Sequence, residues 1–180
     1  MPPNVSKMSH NLVLIGMPGA GKSTVGVLAA KTLGMSFVDT DLLIQEKEGR
    51  LLQEIIDQDG VAAFLKIEES VILRVNVTNG VIATGGSVIY SRAAIQHLKA
   101  NGTLIYLQLP YDEIAQRIHN MGSRGIAIGK EQNLRDLFYE RVILYEQHTD
   151  ITIDCSNITI EEVVQKVTNV VTVQIKRGTE

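Results

Sequence analysis

The octapeptide Gly16-Met17-Pro18-Gly19-Ala20-Gly21-Lys22-Ser23 sets three glycines, a lysine and a hydroxyl in the pattern G-x-x-x-x-G-K-[ST]. Glycines let a backbone curl until successive N–H groups face one anion. A lysine directly after the last glycine can reach the β- and γ-phosphates of a nucleoside triphosphate, and the hydroxyl can ligate Mg²⁺. The flanks agree. Leu12-Val13-Leu14-Ile15 reads as a buried strand, and Val25, Leu28, Ala29 and Leu33 recur at helical spacing up to Gly34. A helix that begins at the loop turns the positive end of its dipole toward the phosphates. Binding of a purine nucleoside triphosphate with Mg²⁺ is therefore expected, with Gly16, Gly19, Ala20, Gly21, Lys22, Ser23 and Thr24 in contact with it. A GTP switch would need N-K-x-D, which the chain lacks; its D-x-x-G string, Asp57-Gln58-Asp59-Gly60, falls between helical segments. ATP is the expected nucleotide.

A second chemical pair closes the next apolar stretch. Asp39-Thr40-Asp41 follows the short strand 36–38, at the end where open α/β sheets gather their ligand groups. One carboxylate can hold the water shell of Mg²⁺ while the other accepts a proton from a substrate hydroxyl. The same residues can equally cap the helix that follows.

These groups need a scaffold, and the chain supplies one by alternation. After the first strand and helix come helical stretches over 42–57, interrupted near Gly49, and 61–75, carrying Phe64, Ile67, Val71 and Ile72. Val81-Ile82-Ala83-Thr84 forms a third strand running into Gly85-Gly86, and a helix starts at Ser91. A strand over 104–109, a helix opened by Pro110 and Asp112, a helix over 134–147, a strand over 151–154 and a last helix from about Thr159 complete the pattern. Strands alternating with helices imply a parallel sheet covered on both faces. Residues 1–10 read as a flexible tail and 11–180 as one domain; the glycine-rich segment 121–132 lacks a consistent period and reads as a mobile lid.

The bulk figures exclude several classes. With 44% hydrophobic residues in 180, a full core can form without metals or disulfides. A net charge of −3 carries no electrostatic footprint for nucleic acid. No apolar run approaches the length of a membrane span, and the first ten residues lack a signal-peptide apolar core. The single Cys155 cannot pair internally, which fits a reducing cytoplasm. A monomeric cytoplasmic enzyme acting on a small molecule is expected, with neither nucleic acid nor membrane as partner.

From Leu12 to about Val171 the chain resembles the shikimate kinase family. The features that carry the likeness are GMPGAGKST, FVDTD, ATGG at the third strand, an arginine in the lid, and ERVILYEQHTDITID, which is similar to that family's E-R-x-P-L-Y-E-E-x-A-D region. Their order and spacing together are the specific signal. The resemblance implies a single-domain P-loop fold of the nucleoside-monophosphate-kinase kind, with a five-stranded parallel sheet flanked by helices and a closing lid. It implies ATP- and Mg²⁺-dependent phosphoryl transfer to a hydroxyl of a small metabolite. By position, Lys22 and Ser23 match the phosphate and Mg²⁺ contacts, Asp39 the magnesium-associated carboxylate, and Asp41 the group that contacts the substrate hydroxyl and acts as base. Gly85 and Gly86 match backbone that approaches the substrate. Arg124 matches the lid arginine over the transferred phosphate, Arg117 a residue stacked on adenine, and Arg141 the grip on the substrate carboxylate. Outside the resemblance, the alternative for Arg124 is a solvated loop charge, against which its place between two glycines of the lid speaks for catalysis; for Arg141 it is an exposed charge on an amphipathic helix.

The acceptor half departs from the family. An F-R-x-x-E motif has become Phe64-Leu65-Lys66-Ile67-Glu68, so one of two arginine partners of the substrate carboxylate is absent. Losing such a fork costs on the order of a few kcal/mol in binding, roughly 100-fold. Lys66 sits about 100° round the helix and is not a planar fork. Glu68 is left without the charge that arginine would set against it. Ser87 replaces a third glycine after ATGG, and Arg124 is followed by Gly125-Ile126-Ala127 rather than proline and leucines. Three readings stay open: a kinase of shikimate, a kinase of another small hydroxylated metabolite, or a nucleotide-binding module without catalysis.

Overall fold

Leu12, Val13, Leu14 and Ile15 are fully buried because β1 (Asn11–Ile15) is the middle strand of a five-stranded sheet. The computed structural model describes residues 10–121 and 125–177. β1 pairs in parallel with β3 (Gly80–Ala83) on one side and β4 (Gly102–Gln108) on the other. β2 (Ser36–Asp39) pairs with β3 and β5 (Ile151–Asp154) with β4, giving the order β2-β3-β1-β4-β5. A strand buried on both faces carries a continuous apolar run, as β1 and β4 do.

The crossovers are helical: α1 (Lys22–Leu33), α2 (Thr40–Glu48), α3 (Leu52–Asp59), α4 (Val61–Ile72), α5 (Arg92–Ala100), α6 (Tyr111–Met121), α7 (Leu134–His148) and α8 (Ile160–Arg177). Helical character expected over 42–57 resolves into two helices. Gly49 ends α2 in the left-handed region at φ 65, which a glycine adopts without steric cost. α4 stops at Ile72, short of the expected 75. The principal core fills the space around the sheet. A second cluster of Ile44, Leu52, Ile55, Phe64, Val71 and Ala127 binds α2, α3 and α4 together. Ala127 belongs to the expected lid segment, so that segment is tied to the α2–α4 unit.

Parallel strands bring all their C-terminal ends to one edge of the sheet. Leu14 of β1 and Asp39 of β2 both stand beside Ala83 of β3 in register. The loop after β1, the acidic pair after β2 and the Gly85-Gly86 turn after β3 therefore meet, though they are far apart in sequence.

Candidate active site

Gly16 turns the chain out of β1 at φ 147, and a Cβ there would lie 2.9 Å from the Leu107 carbonyl oxygen at the end of β4. Gly21 holds φ 92 just before α1, and no side chain caps that helix. Its first N–H donors are left to an anion, and the helix dipole adds to their pull. Lys22 folds back over the loop, its Nζ donating to the carbonyls of Gly16 (2.7 Å) and Met17 (2.8 Å). Burial of this ammonium lowers its pKa to about 8, against the opposing pull of Asp41.

Asp39 serves two neighbours. Its Oδ1 accepts the Asp41 N–H at 3.0 Å and so caps α2, while its Oδ2 accepts the Ser23 hydroxyl at 2.6 Å. Capping and metal binding, set apart as alternatives above, are thus compatible in one carboxylate. A hydroxyl and a carboxylate oxygen in contact at the open edge of the loop are hard donors that suit Mg²⁺, which keeps waters and phosphate oxygens as its other ligands. Asp41 differs. Its Oδ1 is sealed from solvent with no hydrogen-bond partner among the described residues. Burial first, then the charge of Asp39, push its pKa up to about 6, with Lys22 opposing. A carboxylate so poised accepts a proton near neutral pH more readily than an ordinary one.

The turn after β3 passes between these groups with no room for side chains. A Cβ on Gly85 would lie 2.5 Å from Glu68 Oε1 and 2.8 Å from Asp41 Oδ1; one on Gly86 would lie 2.8 Å from Pro18 Cδ and 2.9 Å from Arg141 Nη1. The Tyr145 hydroxyl pins the turn by donating to the Gly86 carbonyl at 2.6 Å. Arg141 is only 1% exposed, which overturns its reading as a solvent-facing helix charge. Its Nη2 donates to the Ala127 carbonyl at 2.7 Å and its Nε to the Tyr90 hydroxyl at 3.3 Å, with the guanidinium 5.3 Å from the Tyr90 ring centre. The Tyr90 hydroxyl in turn donates to Glu140. Arg117 reaches the nucleotide loop, its Nη1 donating to the Gly19 carbonyl at 3.2 Å, and it pairs with Glu113.

One cavity of about 410 Å³ gathers the loop residues Gly19, Gly21, Lys22, Ser23 and Thr24 with Asp41, Gly85, Gly86, Arg117 and Arg141. Gly16 and Ala20 are buried and do not line it. Gly125, Ile126 and Ala127 also line this cavity, and the Gly125 N–H is held by Gln53 Oε1 at 3.1 Å. Arg124 lies outside the described residues, as does the tail before His10. Among the described residues no helix is long and apolar enough to cross a membrane. Cys155 is buried, and burial pushes its thiol up to about 11, so it is a packing residue.

Sequence reasoning underrated three residues. Glu68 is 2% exposed, with Oε2 accepting the Ser87 hydroxyl at 2.7 Å and Oε1 sealed without a partner among the described residues. Burial pushes its pKa up to about 7, against the stabilising Ser87 hydrogen bond. Ser87 stood out as the replacement of a third glycine after ATGG but not as the partner of Glu68, and no local signal pointed to Tyr90. Leu65 packs into the α2–α4 cluster, and Lys66 is exposed on a separate cavity of about 130 Å³, so it does not stand in for an arginine at position 65.

The shikimate kinase family model matches residues 18–172. The chain is 37% identical over 160 residues to a shikimate kinase of Caldanaerobacter subterraneus, covering 87% of this chain and 93% of that one. It superposes on the shikimate kinase from Acinetobacter baumannii in complex with shikimate with a TM-score of 0.83 at 30% identity, covering 93% and 96% of the two chains. For the Aquifex aeolicus shikimate kinase the TM-score is 0.72, also at 30% identity, covering 87% and 93%.

Proposed function

This chain belongs to the shikimate kinase family, and we propose on that footing that it transfers the γ-phosphoryl group of ATP to a hydroxyl of shikimate. The observation that carries the reading is the single cavity with a phosphate end and an acceptor end: Lys22 and Ser23 at one, Asp41, Gly86 and Arg141 at the other. Phosphoryl transfer asks for positioning and neutralisation of charge more than for covalent chemistry.

Each side chain then has one task. Lys22 exchanges two loop carbonyls for the β- and γ-phosphate oxygens. Ser23 and Asp39 would hold Mg²⁺, which would supply charge neutralisation for the phosphates. Asp41 takes the proton of the acceptor hydroxyl as oxygen attacks phosphorus. Arg141 keeps Nε and Nη2 on Tyr90 and Ala127 and turns Nη1 toward the acceptor's carboxylate. By their match to the family, Arg117 is assigned to the adenine and Arg124 to the transferred phosphoryl group. The products are ADP and a phosphomonoester. Leu65 favours a second reading, the same chemistry on a less acidic hydroxylated acceptor, because the carboxylate has one described arginine instead of two.

A coupled ADP-release assay over shikimate, other hydroxy acids and neutral polyols separates these. Turnover of shikimate at sub-millimolar concentration is the expected result. Turnover confined to a neutral polyol would move the acceptor, and ATP binding without turnover of any acceptor would overturn the kinase reading itself.

A further inference from the structure

Glu68 poses a physical problem that the assigned roles leave unsolved. It is a buried carboxyl behind the acceptor end of the cavity, with one oxygen bonded to Ser87 and the other facing the Gly85 backbone beside Asp41. A buried carboxylate ordinarily has a cation bonded to it. Here position 65 carries leucine, and the ion pairs among the described residues do not include Glu68. The partner that is present is a hydroxyl. Guanidinium only donates hydrogen bonds and so holds a carboxylate in its ionised form, whereas a serine hydroxyl both donates and accepts and can serve either form.

We propose that Ser87 is a positioning residue that holds Glu68 behind the Gly85-Gly86 turn in either protonation state, so that binding of an acceptor carboxylate at Arg141 is coupled to uptake of a proton by Glu68. The inference rests on the proposed function, since it takes the acceptor to be an anion. Glu68 and Arg141 flank adjacent residues of one turn, Gly85 and Gly86. An ionised Glu68 competes with the incoming carboxylate for the field of Arg141; a protonated one does not. The groups acting on Glu68 are Lys22 from α1, Asp41 from α2 and Arg141 from α7. Lys66 and Glu69 of its own helix, with Tyr90, border the small cavity alongside it. Burial outweighs the cations and brings its titration to about pH 7, inside the working range.

The direction of the effect is fixed. An anionic ligand beside Glu68 favours its protonated form, so shikimate binds with proton uptake near pH 7. As pH rises through this region Glu68 ionises and the acceptor KM increases, by about tenfold for one added charge at this range. An acceptor without a carboxylate shows neither effect.

Calorimetric titration of shikimate into the ADP-bound protein, in buffers of different ionisation enthalpy, counts the protons directly. Uptake of roughly half a proton, largest just above pH 7, is expected in the native protein, and none in Glu68→Gln. Ser87→Ala removes the donor that favours ionised Glu68, so the midpoint of the KM profile moves to higher pH. Leu65→Arg supplies a donor-only cation, lowers KM and flattens its profile. A structural role alone would lower stability in Ser87→Ala without moving a midpoint. Should Glu68→Gln fail to fold, the other two variants decide: unmoved midpoints in both overturn the inference. If shikimate neither binds nor turns over, the acceptor reading falls and the inference with it. If shikimate binds and turns over with proton uptake absent, or unchanged in Glu68→Gln, the inference alone falls.

Discussion

Gly85→Ala adds one methyl group at a crowded point of the proposed acceptor end. Gly85 is not among the residues of positive φ, so alanine brings no backbone strain and the whole cost is steric. The new Cβ would meet Glu68 Oε1 at 2.5 Å and Asp41 Oδ1 at 2.8 Å, both well inside carbon–oxygen contact. Neither oxygen can swing freely. Glu68 is tethered by Ser87 and 2% exposed, and Asp41 Oδ1 is sealed from solvent. Overpacking of this kind costs about 1–3 kcal/mol, of which roughly 0.5–1 kcal/mol is offset by the stiffer unfolded chain of alanine. The net cost of about 0.5–2 kcal/mol, at about 2–4 °C per kcal/mol for a chain of this size, should lower the melting temperature by roughly 1–8 °C. Function should suffer more than stability. Pushing Asp41 off its position by a few tenths of an ångström misplaces the proposed base, and a misplacement of about 1 Å is worth roughly 100-fold, so kcat should drop about tenfold. The phosphate loop is not touched, so the KM for ATP should stay within about twofold of native. Thermal melts and steady-state kinetics with each substrate varied read all three quantities. A Gly85→Ala protein with native melting temperature and native kcat would refute the account of a turn wedged between two carboxylates.

Three further outcomes follow from the same geometry. Lys22→Met should leave a folded protein whose kcat falls on the order of 10²–10³-fold, measured by ADP release, since it removes a charge aimed at the transferred phosphoryl group. Arg141→Lys cannot keep the Ala127 and Tyr90 bonds and also present a donor to the acceptor. Its acceptor KM should rise by about 2 kcal/mol, roughly 30-fold, with the KM for ATP little changed. In the ligand-free protein, Glu68 titrates near 7 when folded against 4.5 as a free side chain, so the folded state binds more protons between these values. Its contribution to stability is full below pH 4.5 and lost as pH rises through 7, amounting to about 3 kcal/mol at most. Melts from pH 5 to 8 should show this decline, and Glu68→Gln should remove much of it, leaving the part due to Asp41.

The nucleotide end was legible from sequence because its chemistry is local. Gly16 to Ser23 carries the curled backbone, the lysine and the hydroxyl within eight positions, and strand and helix flank them at their own periods. The alternation of strands and helices likewise pointed to the parallel sheet. Strand order was not legible, because β1–β4 pairing depends on which faces the helices cover rather than on any short pattern. The acceptor end was partly hidden for the same reason. Glu68, Ser87 and Arg141 come from α4, the turn after β3 and α7, and nothing in their own segments shows that they share a pocket wall. For Arg141 the resemblance implied a grip on the substrate carboxylate, while its own helical segment read equally as carrying an exposed charge. Only packing against Tyr90 and Ala127 reveals that it is buried.

The place of β1 in the middle of the sheet bears on how the chain comes to be folded. Its partners are strands that follow it by about 70 and 90 residues in register, Val81 opposite Leu12 and Gly102 opposite Asn11. Long loops must close before those ladders form, which slows folding relative to chains of local contacts. During synthesis the nucleotide loop emerges first, yet Gly16 finds the Leu107 carbonyl it abuts only after β4 has left the ribosome. A nascent chain truncated between β3 and β4 should therefore lack a nucleotide cradle although it contains every residue of the motif. Nucleotide captured after that point binds the folded state alone, and so pulls the late strands into place by mass action.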